Sequence, residues 1–73
     1  MDRETTLAHL ALADKNVALG ERHIAQQEQI VADLDRDGHD TREALALLAV
    51  FRRAQAEHVA HRDLLLRELQ SRV

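Results

Sequence analysis

A short stretch near the middle of the chain, residues 34–43 with the sequence LDRDGHDTRE, carries signals that end one helix and begin another. Gly38 is typical of the position just past a helix C-terminus, because it has no Cβ and adopts positive φ without a steric penalty. Asp40 can cap a following helix, and Glu43 completes a variant of the capping box. A connection this short makes the flanking helices run antiparallel. The sequence therefore predicts an all-α fold, a two-helix antiparallel hairpin.

The first half of the chain has the apolar repeat of one long helix. The residues that recur every seven positions are Leu10, Val17, Ile24 and Val31. This is the period of the a positions in a coiled coil. We predict a helix over about 5–35, a turn over 36–40 and a second helix over about 41–70, in a single domain that spans 1–73.

Gly20 lies inside the first predicted helix, where glycine costs about 1 kcal/mol relative to alanine. The alternative is that this helix ends after Leu19, which would give three helices. No Ser, Thr, Asp or Asn follows Gly20 closely to cap a second start. The heptad also continues through Gly20 without a change of phase. We therefore favour one continuous helix.

The second half has apolar residues at helical spacing and a more polar middle. When the chain folds back at Gly38, the residues that face each other have numbers that sum to about 75. This register places Phe51, the only aromatic residue, between Gly20 and Gln27. It also predicts that Gln55 faces Gly20.

Two glutamines, Gln27 and Gln55, fall on the inward stripe among aliphatic residues. In one interpretation their amides reach the edge of the hairpin or bond to each other. In the other, polar residues at core positions fix the register and the oligomeric state at some cost in stability. The sequence leaves both interpretations open.

Composition argues against several functional classes. There is no cysteine, so disulfides, thiolate metal ligands and cysteine nucleophiles are excluded. The net charge of −3 disfavours general binding to nucleic acids or acidic membranes. Ser71 is the only serine, and no glycine-rich turn is present to form an oxyanion hole or to hold a phosphate. We predict no enzymatic activity, no cofactor, and neither a nucleic-acid nor a membrane partner.

The N-terminal sequence MDRETT does not have the charged and then apolar layout of a signal peptide. No apolar run approaches the roughly 18 residues that a membrane span requires. We therefore expect a cytoplasmic location.

A lone hairpin leaves much apolar surface uncovered, and such surface usually marks an interface. Two hairpins packed face to face form a four-helix bundle. We therefore predict a homodimer of this kind, with C2 symmetry, that acts as a protein–protein interaction or regulatory module. The residues predicted to form the apolar interfaces are Leu10, Leu12, Val17, Leu19, Gly20, Ile24, Val31, Leu48, Phe51, Leu65, Leu66 and Leu69.

Five histidines suggest an alternative function, a metal-binding or metal-responsive bundle. His58 and His61 lie on one helical face, and the predicted register brings Asp14 close to His61 and opposite Arg62. Histidine and carboxylate ligands at such spacing build metal sites in helical bundles. No second copy of the motif exists, so we predict no metal site and keep His58, His61 and Asp14 as candidate ligands. The histidines not expected to converge there are His9, His23 and His39.

The central segment also carries a resemblance. Residues 23–44, HIAQQEQIVADLDRDGHDTREA, and residues 58–63, HVAHRD, resemble small hypothetical proteins of rhizobia-like alphaproteobacteria. The DGHDT sequence at 37–41 carries most of this similarity, which extends over roughly two thirds of the chain. The resemblance implies a small bacterial helical protein and brings no activity or catalytic residue with it.

Overall fold

The protein, described over residues 2–71 by a computed structural model, consists of two long helices joined by a short turn. Helix α1 spans Arg3–Arg36 and helix α2 spans Arg42–Gln70. The helices pack against each other in a rod of 56 × 14 × 13 Å, which confirms the predicted all-α hairpin. Neither helix in the described part of the chain has a stretch long and apolar enough to span a membrane.

Helix α1 begins with a side-chain cap. Asp2 Oδ1 accepts a hydrogen bond from the backbone N–H of Thr5 at 2.7 Å, which satisfies one of the N–H groups that helical geometry leaves unpaired. The hydroxyl of the fully buried Thr6 donates to the Asp2 carbonyl at 2.9 Å. These bonds start the helix at Arg3, slightly before the predicted position.

Helix α1 ends in a Schellman motif around Gly38, which has a φ of 75°. The N–H of His39 donates to the Leu34 carbonyl at 2.8 Å, and the N–H of Gly38 donates to the Asp35 carbonyl at 3.1 Å. A residue with a Cβ would be strained at this φ. Gly38 therefore ends the helix as its position in the sequence predicts.

The start of α2 differs from the prediction. Its N-cap is Thr41 rather than Asp40, and the Thr41 side chain makes no capping hydrogen bond. The Asp40 carboxylate instead accepts the Arg42 N–H at 3.0 Å and the Arg42 guanidinium at 2.7 Å. Because Asp40 lies one residue outside the N-cap, the predicted capping box with Glu43 is wrong. The Arg42 guanidinium lowers the pKa of the Asp40 carboxyl.

Helix α1 continues through Gly20 without a break. Gln55 of α2 lies against this glycine, and a Cβ at position 20 would overlap the Gln55 amide. The Nε2 of Gln55 donates to the Val17 carbonyl at 2.9 Å. The missing side chain at Gly20 thus lets a polar side chain cross the interface and reach the backbone of the other helix.

Gln27 makes the matching contact from α1. It is 5% exposed, and its Nε2 donates to the Ala44 carbonyl in the first turns of α2 at 2.9 Å. The two glutamines therefore do not bond to each other, and Gln27 does not reach the edge. Each connects its own helix to a backbone carbonyl of the other helix, which supports the interpretation that they fix the register.

Candidate functional site

The two sides of the hairpin have different chemistry. In heptad notation the a and d positions form the seam between helices, and the g and e positions flank it on opposite sides. With Leu10 at position a, His9, Asn16 and His23 occupy g positions of α1. On α2, Leu48 takes position a, so g positions recur every seven residues from Leu47.

Three clefts between the helices show how these positions pair. The first, of about 50 Å³, is lined by Gly20, His23, Phe51, Ala54, Gln55 and His58. The second, of about 310 Å³, is lined by His9, Leu12, Ala13, Asn16 and His61. Because the g positions of both helices line these clefts, both open on the same side of the hairpin. The third, of about 350 Å³, opens on the e side and is lined by Glu28, Val31, Ala32, Asp35, Thr41, Leu45, Leu48 and Arg52.

One side, which we call the neutral face, consists of the g positions and the neighbouring c positions in the central part of the hairpin, from His9 to Ile30 of α1 and from Leu47 to Leu64 of α2. Within these bounds α1 contributes no residue with a formal charge when histidine is neutral, and α2 contributes one acidic residue, Glu57. The g and c positions nearer the helix ends carry Asp33, Glu43 and Glu68. The neutral face comprises His9, Leu12, Asn16, Leu19, His23, Gln26 and Ile30 of α1, and Leu47, Val50, Ala54, Glu57, His61 and Leu64 of α2.

The neutral face carries most of the exposed apolar surface of the described chain. Five of the eight large hydrophobic residues that are exposed lie there, and Leu12 and Leu64 are the most exposed of the eight, at 58% and 56%. The other members are Ile30, Leu47 and Val50. A face that combines aliphatic side chains with so little charge resembles the centre of a protein interface rather than a solvated surface.

The opposite side, which we call the acidic face, has a row of carboxylates at the e positions of α1. They are Asp14, Glu21, Glu28 and Asp35. Arg52 of α2 reaches across the third cleft to Glu28, with 3.2 Å between Nη2 and Oε2. Both side chains of this pair are more than half exposed, so its contribution to stability is small.

The residues predicted to form interfaces occupy four environments. Val17, Leu48 and Leu65 are buried between the two helices and cannot contact a partner. Leu12 and Leu19 lie on the neutral face, whereas Leu66 lies on the acidic face. The remaining members are half-buried along the seam: Leu10, Gly20, Ile24, Val31, Phe51 and Leu69. The predicted interface residues do not include the exposed Ile30, Leu47, Val50 and Leu64 of the neutral face, although extending the heptad to the g and c positions identifies all four.

The three candidate metal ligands do not come together. His58 and His61 line different clefts, and Asp14, at an e position, lies on the side opposite His61. Arg62 pairs with Asp63 at 3.2 Å rather than with Asp14. Within residues 2–71 no group of three or more histidine, aspartate or glutamate side chains is placed to hold a metal ion. His61 shares its cleft with His9 instead.

Comparison of the chain with protein-family models, with curated proteins and with solved structures gives no match. The function is therefore inferred from the chemistry of the two faces. The neutral face is the stronger candidate, because its exposed aliphatic side chains are costly to leave in water.

Proposed function

We propose that the protein is a self-associating helical module without catalytic activity, in which the neutral faces of two copies pack together as a four-helix bundle. The observation that carries this proposal is the concentration of exposed aliphatic residues on the neutral face, the central part of one side of the hairpin, where Glu57 is the one formally charged residue. Packing two such faces removes their side chains from water at little electrostatic cost.

The accessible surface area of the hairpin supports packing against a second copy of the chain. Its accessible surface is 5454 Å². The relation for compact folded monomers gives about 4,600 Å² for a chain of 8.3 kDa. The excess of about 900 Å² is close to the roughly 800 Å² per partner that a stable protein interface buries. A second copy packed side by side would cover this excess.

The size of the core supports the same conclusion. Within the described chain the buried hydrophobic residues are only Ala13, Val17, Leu48 and Leu65. Chains of 73 residues lie near the lower limit for a self-sufficient core, and oligomerisation is a common source of additional burial.

In the central part of the hairpin, where the neutral face carries only Glu57, the charges favour this face over the acidic face as the contact between copies. In a twofold dimer each surface meets an identical surface. Packing two acidic faces would bring the Asp14, Glu21, Glu28 and Asp35 rows towards each other, and like charges in a closed interface are unfavourable. In the proposed bundle the acidic faces remain outside, where they are accessible to other proteins. The proposal keeps the cytoplasmic location predicted above.

Sedimentation equilibrium of the purified chain tests this proposal. Interference optics are required because the chain has no tryptophan or tyrosine. We expect a mass of twice 8.3 kDa at micromolar concentrations, with reversible dissociation on dilution. A folded species of 8.3 kDa at every concentration would contradict the proposal.

A further inference from the structure

A groove runs along the acidic face between the two helices, and its two walls differ in chemistry. The e positions of α1 form one wall, which comprises Asp14, Glu21, Glu28 and Asp35. The e positions of α2 form the other wall, which comprises Leu45, Arg52, Val59 and Leu66. The third cleft shows that the two walls lie side by side, because residues of both line it. One wall is therefore acidic, and the other is mostly apolar.

The apolar wall is incompletely covered in the single hairpin. Leu45 is 48% exposed and Leu66 is 38% exposed, although both lie beside the seam. The cleft next to Leu45 has a volume of about 350 Å³ and is also lined by Val31, Ala32 and Leu48. An apolar side chain of another helix can fill this space, and removing the exposed leucines from water would stabilise the contact.

The acidic wall carries charges that the hairpin itself does not neutralise. Glu28 pairs with Arg52, but within residues 2–71 Asp14, Glu21 and Asp35 form no ion pair. From Asp14 to Asp35 the row extends over about 30 Å at the helical rise of about 1.5 Å per residue. The negative charges therefore follow the whole length of the groove.

We propose that this groove binds a basic amphipathic α-helix of another protein, which completes a three-helix bundle with α1 and α2. The apolar stripe of that helix packs against Leu45, Val59 and Leu66, and its lysine or arginine side chains face the carboxylates of α1. The seven-residue spacing of the carboxylates matches the repeat of a helix, whereas the side chains of an extended strand alternate every two residues.

A second copy of the chain is a poorer occupant of the groove. A twofold contact here would bring one carboxylate row towards an identical row, and like charges in a closed interface oppose association. The groove also stays open in the proposed four-helix bundle, which buries the neutral faces instead. Binding of a basic helix therefore does not depend on self-association.

A synthetic peptide of about 28 residues, four heptads long, tests the proposal. It carries leucine at its a and d positions, lysine at its e and g positions, and one terminal tryptophan. Fluorescence anisotropy of that tryptophan reports binding directly, since the chain has no tryptophan or tyrosine. We expect one peptide to bind per chain, with an affinity that falls as sodium chloride is raised.

A peptide with glutamate in place of every lysine is the control for charge. It should bind at least roughly 10-fold more weakly than the lysine peptide, because its carboxylates would face those of α1. Equal binding of the two peptides, or no binding of the lysine peptide, would overturn the proposal.

Two pairs of matched variants locate the bound peptide. Glu21→Lys in the groove should weaken binding by roughly 10-fold, whereas Glu57→Lys makes the same change in net charge on the neutral face and should have little effect. Leu45→Ala should also weaken binding by roughly 10-fold, whereas Leu47→Ala, at a similarly exposed position of the neutral face, should not. All four positions are exposed, and circular dichroism verifies that each variant is folded. Equal effects within either pair would overturn the assignment to the groove.

Sedimentation equilibrium with and without the lysine peptide separates this proposal from the proposed function. We expect the peptide to add its mass to whichever species the free chain forms. Displacement of one copy of the chain by the peptide would show that a second copy occupies the groove, and would overturn the proposal. A free chain that is monomeric and still binds the peptide would contradict self-association and support the groove.

Discussion

The side-chain amide of Gln55 lies directly over Gly20, and from there it donates to the Val17 carbonyl of the opposite helix at 2.9 Å. A glycine in the middle of a helix costs about 1 kcal/mol relative to alanine. A buried hydrogen bond contributes a similar amount. The hydrogen bond that Gly20 permits aligns the helices and offsets part of the cost of the glycine. The Oε1 of the same amide is buried without a hydrogen-bond partner in the described chain, and this lowers the net gain.

This relationship predicts that the effect of Gly20→Ala depends on Gln55. In the unmodified protein the new Cβ displaces the Gln55 amide, so the gain in helix propensity is cancelled by the lost hydrogen bond. In a Gln55→Ala background the space is free, and Gly20→Ala should stabilise the protein by about 1 kcal/mol. Urea unfolding followed by circular dichroism, at one fixed chain concentration, measures both differences.

Gly38→Ala is the matched control for that double-mutant cycle. It should destabilise the protein by about 1–2 kcal/mol in both backgrounds, because φ is positive at position 38. Nothing surrounds its added methyl group, so no coupling to Gln55 is expected. Equal effects of Gly20→Ala in the two backgrounds would show that the contact between Gly20 and Gln55 has no energetic consequence.

The position of Gln55 opposite Gly20 could be predicted from sequence, because a short turn fixes which levels of the two helices meet. The hydrogen-bond partners of the Gln27 and Gln55 amides could not be predicted in this way. Whether Gln27 bonds to Gln55, to solvent or to a carbonyl depends on side-chain rotamers and on how closely the helices approach. The carbonyls of Val17 and Ala44 are the partners found, and no sequence pattern distinguishes them from other backbone acceptors.

The candidate metal ligands show a second limit of sequence-based prediction. The sum of residue numbers correctly predicts which residues of the two helices lie at the same height along the hairpin. It does not predict on which side of the seam between the helices each residue lies. Asp14 and His61 are at similar levels, yet one occupies an e position and the other a g position, on opposite sides of the seam. Assigning both helices to the heptad predicts instead that His61 and His9 share a side.

The start of α2 shows a third limit of sequence-based prediction. Asp40 is a good N-cap by residue type, but Arg42 competes for its carboxylate through both its N–H and its guanidinium. A capping carboxylate can accept the N–H two residues further on, as Asp40 does, but an ion pair with the side chain of that residue is not part of the capping pattern. The helix therefore begins one residue later, after Thr41.

The contact between Asp40 and Arg42 predicts a measurable pKa change. We expect NMR titration of the Asp40 carboxyl carbon to give a pKa below the ordinary value, because the Arg42 guanidinium favours the ionised form. Since the folded-state pKa is lowered, any stabilisation exists above the ordinary aspartate pKa and is lost as the pH falls through the lowered value. Both side chains are mostly exposed, so salt should weaken the shift.

Arg42→Gln is the variant that checks this cause. It should return the pKa of Asp40 towards its ordinary value, whereas Arg36→Gln, at the other end of the turn, should leave it unchanged. A pKa that remains low in Arg42→Gln would mean that another group is responsible.

Gln27→Glu should make the stability of the protein strongly pH-dependent. The new carboxylate would be buried and would face the Ala44 carbonyl, which offers no proton. We expect a loss of roughly 3 kcal/mol at pH 7. Burial raises the folded-state pKa of such a carboxyl, so the penalty should shrink as the pH falls and the protonated acid donates to Ala44. Urea unfolding between about pH 4 and pH 8, a range that extends above an ordinary carboxyl pKa, measures the difference in the free energy of unfolding between Gln27→Glu and the unmodified protein.

Gln70→Glu is the control for that measurement, since it makes the same substitution at an exposed position at the end of α2, outside the neutral face. Its stability should follow that of the unmodified protein across the same pH range. A loss of equal size in both variants would attribute the effect to net charge rather than to burial at Gln27.

Leu64→Glu and Leu66→Glu test which face mediates self-association. The two leucines are close in sequence, but Leu64 is 56% exposed on the neutral face and Leu66 is 38% exposed on the acidic face. Because a twofold dimer would bury the new charge twice, Leu64→Glu should raise the dimer dissociation constant by roughly 100-fold or more. Leu66→Glu carries the same charge and should change it little. Sedimentation equilibrium measures the dimer dissociation constants of both variants. An equal or larger effect of Leu66→Glu would place the interface on the acidic face, because an added charge weakens the dimer strongly only where the interface buries it.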